Sequence, residues 1–322
     1  MVESDLVGVT SHLPEPLAKA AASTLPLRVE KVTGEAGRTQ LRATLGNVVQ
    51  AVAIKRAEVM ERAAIVVGGG ELRLPENGIA VRIAWPQLDA DAWRALLGDK
   101  NNGARGNAKM PGFDSVSIRT PMLRLMGRDF AQVEAEMRPR DEGWQIAIVT
   151  QEVAGDLFWR QTGAGWVEGR LRRLTVRPAA EMAGGDTTLI NTLPGMNLMV
   201  DDFRIGDKAL GRLELQARND KGDWYLDTLN LRNPDGALSG RAVWRNDGAG
   251  RHQTRLDFEL TASDVGRLLT RLGFVDAIRR GTATMAGHAQ WNGPLTGIHY
   301  PSLSGQMTVS AENGQFNKLE PG

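Results

Sequence analysis

Apolar and polar residues alternate along many short stretches of this 322-residue chain. The stretches Val133–Arg138, Leu213–Arg218, Leu256–Leu260 and Met307–Ala311 change character at every residue. Successive side chains of a β-strand point to opposite faces, so each stretch predicts a strand with one apolar and one polar face. Turn signals such as Asn219–Gly222 separate the stretches and predict a meander of antiparallel strands.

Helical spacing is confined to three short segments. Glu15–Ser23 is alanine-rich and follows prolines that suit a first helical turn. Asp89–Leu97 places its bulky apolar residues on one face. Asp264–Leu272 is capped by Ser263 or Asp264 and is followed by Gly273, which suits a helix end. The chain is therefore predicted to be mainly β, with a few short helices.

Two long stretches share one order of features, which predicts an internal repeat. Leu123–Arg160 and Phe203–Arg245 both run through an alternating strand, a polar turn, a tryptophan, and a strand that ends in Trp-Arg. Trp144 of the first stretch corresponds to Trp224 of the second, 80 residues later. Repeats of this length predict an elongated array in which each unit packs mainly on its neighbours.

These features predict three parts of the chain. Residues 1–100 form an upstream β segment with short helices. Residues 101–185 form the first repeat unit, which opens with a polar loop at Asn101–Pro111. Residues 186–322 form the second repeat unit and a C-terminal part.

Composition removes several classes of function. The 39 basic and 38 acidic residues nearly cancel, so the chain lacks the electrostatic footprint of a nucleic-acid-binding protein. It contains no cysteine, which excludes disulfides and thiolate chemistry. No run of 18 apolar residues occurs, so no segment is predicted to span a membrane.

The sequence lacks the spacing that catalytic or metal sites require. The histidines, which we interpret as solvated or turn residues, are too far apart for metal-ligand pairs; they are His12, His252, His288 and His299. Gly68–Gly70 lacks the following Gly-Lys-Ser of a phosphate loop and precedes the strand-like Glu71–Pro75, so it predicts a hairpin turn. Asp201 and Asp202 would point to opposite faces of a strand. We therefore predict no enzyme activity, no cofactor and no metal.

An ordered set of motifs covers most of the chain. In chain order they are Asp5–Gly8, Leu13–Leu17, Leu25–Leu27, Leu193–Gly195, Phe203–Gly206, Leu210–Leu215, Leu229–Pro234, Ser263–Gly266, Leu272–Phe274 and Trp291–Pro294. Each motif is weak alone, but the ordered set resembles the YhdP branch of the AsmA-like envelope proteins.

The resemblance implies a fold and a location. Members of that family are much longer, are anchored in the inner membrane by an N-terminal helix, and continue past a Glu-Pro-Gly like Glu320–Gly322. The chain is therefore expected to be a periplasmic fragment that lacks the anchor. The implied fold is an elongated, twisted antiparallel sheet that forms an open gutter of β-groove repeats.

The resemblance also implies a function in outer-membrane biogenesis. Phospholipids would move along the apolar face of the gutter between the inner and outer membranes, which the longer protein reaches through parts outside this chain. No nucleic acid, cofactor or catalytic residue is implied. The alternative is a non-transporting β-rich scaffold or assembly factor that binds other envelope proteins and closes its apolar face with protein.

The candidate lipid-contacting residues are the apolar members of the alternating strands. They are Val133, Ala135, Met137, Ile146, Ile148, Leu213, Leu215, Ala217, Leu229, Leu231, Leu256, Phe258, Leu260, Met307 and Val309. Periodicity cannot decide whether each of them contacts lipid or a closed protein core.

Overall fold

The structure is a computed structural model that describes residues 1–34, 37–98, 112–160, 165–176, 193–246, 252–293, 295 and 298–316. The chain divides into two compact units, residues 1–151 and 152–322. The predicted loop at Asn101–Pro111 and the terminal Glu320–Gly322 lie outside the described residues. The three-part division of the chain stays a prediction.

In its described part, unit 1 is a ladder of ten strands with one helix. Its elements are β1 (Val2–Ser4), β2 (Leu27–Thr33), β3 (Arg38–Leu45), β4 (Val49–Arg56), β5 (Val59–Val67), β6 (Gly78–Ala84), β7 (Gln87–Asp89), α1 (Ala90–Gly98), β8 (Phe113–Leu125), β9 (Arg128–Arg140) and β10 (Gly143–Val149). Strands β1 to β5 are antiparallel neighbours, and so are β8 to β10. Strand β6 pairs in parallel with β5 and β8, and β7 pairs in parallel with β8.

The described part of unit 2 is a ladder of nine strands beside one helix. Its elements are β11 (Val153–Arg160), β12 (Trp166–Val176), β13 (Gly195–Ile205), β14 (Lys208–Asp220), β15 (Asp223–Asn233), β16 (Gly236–Asn246), β17 (His252–Ala262), α2 (Val265–Arg271), β18 (Ile278–Arg279), β19 (Thr282–Asn292), a 3-10 turn (Tyr300–Ser302), β20 (Ser304–Glu312) and β21 (Gln315–Phe316). The ladder runs from β11 through β17 to β19 and β20 and is antiparallel except at β12–β13. Strands β18 and β21 form a separate pair.

The two predicted repeat stretches contain the same sequence of strands and turns. In the first, β8, β9 and β10 are joined by the two-residue turns 126–127 and 141–142. In the second, β13, β14 and β15 are joined by the two-residue turns 206–207 and 221–222. The central strands β9 and β14 both have 13 residues. Trp144 and Trp224 are both the second residue of the third strand.

The mainly β prediction is confirmed, and so are two of the three helices. Asp89 caps α1 by accepting a hydrogen bond from the amide of Ala92 at 2.8 Å, and Asp264 caps α2 by accepting one from the amide of Arg267 at 3.0 Å. The helix predicted at Glu15–Ser23 is wrong, because this segment contains turns and an isolated bridge. Residues before a proline avoid the helical conformation, so Pro16 disfavours a helix that begins at Glu15.

The sheet is mixed, whereas the sequence predicted antiparallel strands only. The hairpin predicted at Gly68–Gly70 is wrong, since these glycines open a connection to β6, which lies parallel to β5. The predicted strand at Glu71–Pro75 is not present. A connection between parallel neighbours must run from the end of one strand back to the start of the next. Residues 68–77 do so without forming a helix or strand.

Candidate functional site

Unit 2 has one face on which apolar residues lie in register across neighbouring strands; we call it apolar face 2. The first row runs through Val309, Met285, Leu260, Leu238, Leu231, Leu213, Val200 and Leu171. The second row runs through Met307, Gly287, Phe258, Gly240, Leu229, Leu215, Leu198, Gly169 and Leu157. The third row runs through Ala289, Leu256, Ala242, Leu226, Ala217, Met196, Val167 and Trp159. No row contains a charged residue.

The opposite face of the same strands carries polar side chains. On β17 the residues between the apolar ones are Arg255, Asp257 and Glu259. Ion pairs lie on this face, such as Arg255 with Asp257 at 3.6 Å and Arg218 with Asp227 at 3.1 Å. These pairs are more than 40% exposed, so they keep the face hydrated and add little stability.

Exposure changes across apolar face 2. Leu171, Val200 and Leu213 are at most 3% exposed and form a closed cluster at β12–β14. At the β20 end, Met307 and Val309 are 56% and 54% exposed. Most residues between these limits are half-buried. Within the described part of unit 2 the β18–β21 pair is the only other ladder, so no second sheet of similar size covers this face.

Unit 1 has a corresponding surface, apolar face 1. Its first row runs through Val29, Ala43, Ala51, Ile65, Val81, Val116, Met137 and Ile146. Its second row runs through Leu27, Leu45, Val49, Val67, Ile83, Ile118, Ala135 and Ile148. All the residues of both rows are half-buried.

The other face of unit 1 is covered by protein at β5. Residues 68–77 cross it, and they are held by a hydrogen bond from Arg82 to the carbonyl of Glu71 at 2.6 Å. Beneath this connection Ala64 and Val66 are 2% and 3% exposed. Ile65, between them in sequence, points to apolar face 1 and is only half-buried. The same strand therefore has one covered face and one partly open face.

Tryptophans close one edge of apolar face 2. Trp224 and Trp244 are directly opposed on β15 and β16 and are 5% and 4% exposed. The indole N–H of Trp224 donates to the carbonyl oxygen of Pro194 at 3.2 Å. His252 packs on Trp244, with ring centroids 5.7 Å apart, and is buried, so its interpretation as a solvated residue is wrong. The side chains at this edge are therefore buried and closely packed.

Helix α2 borders the opposite edge. The place that a Cβ atom of Gly236 would occupy lies 3.5 Å from Cδ2 of Leu268, so this leucine packs on the start of β16. The guanidinium of Arg271 donates to Oδ2 of the buried Asp235 at 2.6 and 2.9 Å and to the carbonyl of Ala209 at 3.1 Å. These contacts fix α2 to the strand turns at this edge.

Helix α1 is fixed in a similar way in unit 1. The carboxylate of Asp91 accepts hydrogen bonds from the amides of Gly127 at 2.7 Å and Met126 at 2.8 Å, in the β8–β9 turn. These bonds, the one from Gly127 first, lower the pKa of Asp91 below its ordinary value. The role of this carboxylate is structural.

Fourteen of the fifteen predicted lipid-contacting residues lie in the rows of apolar face 1 or apolar face 2, and Val133 lies beside the rows of apolar face 1, opposite Thr120. The fifteen residues fall into three groups by solvent exposure. Val133, Leu213 and Ala217 are buried, Met307 and Val309 are exposed, and the other ten are half-buried. Which of them contact lipid stays a prediction.

Sequence reasoning missed several members of apolar face 2. Leu238 and Met285 were not predicted, because glycines at 240 and 287 interrupt the alternation in β16 and β19. Leu198 and Val200 were not predicted, because β13 mixes Asn and Asp with methionines. Cross-strand register, which a single sequence does not contain, places all four in the rows.

The described residues contain no group of three or more His, Cys, Asp or Glu side chains that could hold a metal ion. The helices in the same ranges are too short or too polar to cross a membrane.

Comparison with known proteins identifies the family. The sequence model of the YhdP protein family matches residues 1–322. The chain belongs to this family. It is also 27% identical, over 201 residues, to the intermembrane phospholipid transporter YhdP of Escherichia coli strain K12. This match covers 60% of the chain but 15% of the E. coli protein, so the chain corresponds to a small part of that relative. No solved structure matches the chain significantly.

Family membership confirms the resemblance stated from the motifs. A large, partly exposed apolar surface is unusual in a soluble protein and marks a site of interaction with an apolar ligand, a membrane or another protein. In a YhdP family member, the in-register rows of both apolar faces are the candidate functional site.

Proposed function

We propose that this chain forms part of a conduit that gives phospholipids an apolar surface between the inner and outer membranes. The observation that carries the proposal is the register of apolar face 2. Its first row has an apolar side chain on each of eight adjacent strands. Outside the closed cluster at β12–β14, the residues of this row are half-buried or exposed. Acyl chains lying across β15, β16, β17, β19 and β20 would therefore meet an apolar side chain on each strand, while the polar face stays in water.

The energetics support an apolar surface of this kind. Exposing about thirty acyl methylenes to water costs roughly 24 kcal/mol at ~0.8 kcal/mol per methylene. Contact with a continuous apolar surface removes much of this cost without a specific polar contact to each chain. The half-buried residues of both apolar faces provide such a surface, and no catalytic step is required.

The location follows from the same proposal. The E. coli relative is named as an intermembrane phospholipid transporter, and the chain matches a small part of its length. We infer that this chain works in the periplasm and is held at the inner membrane by a part of the longer protein outside this sequence. Its partners would be phospholipid and the two membranes.

The alternative, a non-transporting β-rich scaffold, is favoured by one observation. Val133, Leu213 and Ala217, three of the predicted lipid-contacting residues, are covered by neighbouring apolar side chains. If the remaining rows were covered in the same way by another protein, the faces would be assembly surfaces.

Native mass spectrometry with solvent extraction tests the conduit. The chain is purified from a bacterial envelope, and bound lipids are identified. The conduit predicts co-purified phospholipid that decreases when Phe258 is replaced by Asp and persists when the polar-face residue Glu259 is replaced by Gln. A stable, monodisperse and lipid-free protein would favour the scaffold.

A further inference from the structure

A polar cavity lies beside helix α2 at the edge of apolar face 2. Five cationic and four acidic side chains line it. Two ion pairs use part of this charge, Arg271 with Asp235 at 2.6 Å and Arg267 with Asp264 at 3.5 Å. These pairs hold the helix and its cap.

The other charged groups of the cavity have no partners among the described residues. They are the cations Lys208, Arg279 and Arg280 and the acids Asp207 and Asp276. Hydrogen bonds and ion pairs normally form where such groups are close enough, because charge-assisted bonds are the strongest available. Three free cations and two free carboxylates therefore line one concave surface.

Backbone contacts fix helix α2 against the segments that carry the three cations. The amide of Val265 donates to the carbonyl of Gly281 at 2.8 Å, and that of Gly266 donates to the backbone carbonyl of Arg280 at 3.3 Å. A Cβ atom on Gly266 would lie 2.6 Å from the carbonyl oxygen of Ile278, so the helix lies directly against the segment that carries Arg279. On the other side, the bond from Arg271 to the carbonyl of Ala209 fixes the helix beside Lys208. The backbone segments that carry Lys208, Arg279 and Arg280 are thus fixed beside the helix, while the charged side chains themselves are exposed.

We propose that this cavity binds the headgroup of a zwitterionic phospholipid, a phosphodiester that carries a primary ammonium group. Lys208, Arg279 and Arg280 would bind the phosphate, and Asp207 and Asp276 the ammonium. A purely anionic headgroup would place two carboxylates against its own charge, so the mixed lining favours a zwitterion. This inference rests on the proposed function and names its substrate class.

The position of the cavity suits a lipid whose acyl chains lie on apolar face 2. Leu268 faces the sheet from the same helix that borders the cavity. Phe274 and Val275, which follow the helix, are 62% and 69% exposed. The position of a Cβ atom on Gly273, next to Phe274, lies 3.3 Å from Nζ of Lys208. Apolar and cationic groups therefore adjoin here, as the junction between acyl chain and phosphate requires.

Headgroup selectivity tests the inference. The purified chain is incubated with vesicles of equal amounts of phosphatidylethanolamine and phosphatidylglycerol, and its bound lipids are quantified by mass spectrometry. We expect phosphatidylethanolamine to be enriched about three- to tenfold, as a few partly exposed charge pairs would give. Both headgroups carry the phosphodiester, so the variant K208A/R279A should lower the bound amount of both lipids. The matched variant Arg255→Ala, which removes an exposed cation from the polar face, should leave the bound amount and the enrichment unchanged.

A second variant and a soluble probe separate the roles of the two charges. Asp276→Asn, which suits the φ of +58° at this position, removes a carboxylate proposed to bind the ammonium and should reduce the enrichment itself. Glycerophosphoethanolamine should bind the chain in equilibrium dialysis more tightly than inorganic phosphate does.

The outcomes distinguish this inference from the proposed function. Bound lipid without headgroup enrichment, or equal binding of inorganic phosphate, would overturn the zwitterion site and leave the conduit standing. Absence of any bound lipid would instead overturn the conduit on which the inference rests.

Discussion

Phe258→Asp separates an open apolar face from a closed core. Phe258 lies in the second row of apolar face 2, and its register partners on both neighbouring strands are glycines, Gly240 and Gly287. The ring therefore has no side chain directly beside it on either strand, and it belongs to none of the buried clusters. Leu213, in the first row, provides the contrast, because it is 3% exposed and packs with Leu171 and Val200.

The two positions predict very different losses of stability. Full burial of a phenylalanine contributes about 1.5–3 kcal/mol, so replacing the half-buried Phe258 should cost about half of that. A carboxylate at this position keeps contact with water. In Leu213→Asp an unpaired charge enters a closed cluster, which costs several kcal/mol. That is comparable with the ~5–15 kcal/mol total stability of a typical domain.

Thermal unfolding and lipid content should be measured on the same preparations. We expect Phe258→Asp to fold, to unfold at a slightly lower temperature and to lose bound phospholipid. We expect Leu213→Asp not to fold. Leu215 packs against two of the buried clusters. The loss of stability in Leu215→Asp should therefore lie between the losses in Phe258→Asp and Leu213→Asp. Equal destabilisation by the changes at 258 and 213, or full lipid content in Phe258→Asp, would show that Phe258 does not lie on an open lipid-binding face.

Three further predictions concern the edges and helices. Trp224→Ala should lower the free energy of unfolding by about 3–5 kcal/mol without selectively removing lipid, and selective lipid loss at an unchanged melting temperature would contradict its structural role. Because the pKa of Asp91 is lowered in the folded state, its stabilisation is complete above the unfolded-state pKa of about 3.9 and is lost as pH falls through the lower folded-state value. Asp91→Asn should therefore flatten the acid side of the stability–pH curve, and an unchanged curve would count against the bonds from Gly127. Asp235→Ala leaves the guanidinium of Arg271 without its carboxylate and should speed hydrogen exchange of the α2 amides, whereas unchanged exchange would show that the pair does not hold the helix.

The strands and two of the helices could be predicted because their signals are local. Alternation such as Leu256–Leu260 reports a strand with two different faces, whatever its partners. Helix α2 was predicted with its cap, because Asp264 and Gly273 satisfy the helix ends through their own chemistry. Glu15–Ser23 has the high helix propensity of its alanines but no residue that marks a helix end. Propensity alone did not determine its structure.

Topology and exposure could not be predicted, because both depend on residues distant in sequence. The parallel pairing of β5 with β6 depends on where residues 68–77 return, which periodicity does not encode. Val66 and Ile65 are both apolar β-branched residues, yet one is covered and the other half-buried. The sequence predicted the members of the candidate site but not their degree of burial.

Site-specific photo-crosslinking along β17 tests directly whether apolar face 2 contacts phospholipid. A photo-reactive amino acid is placed in turn at each position from Leu256 to Leu260, in the chain expressed in a bacterial envelope, and crosslinked lipid is detected by mass spectrometry. If apolar face 2 is open to lipid, phospholipid adducts form at 256, 258 and 260 and none at 257 and 259, in step with the alternation of faces. Adducts of protein at the even positions, or lipid adducts without alternation, would contradict an open lipid-binding face.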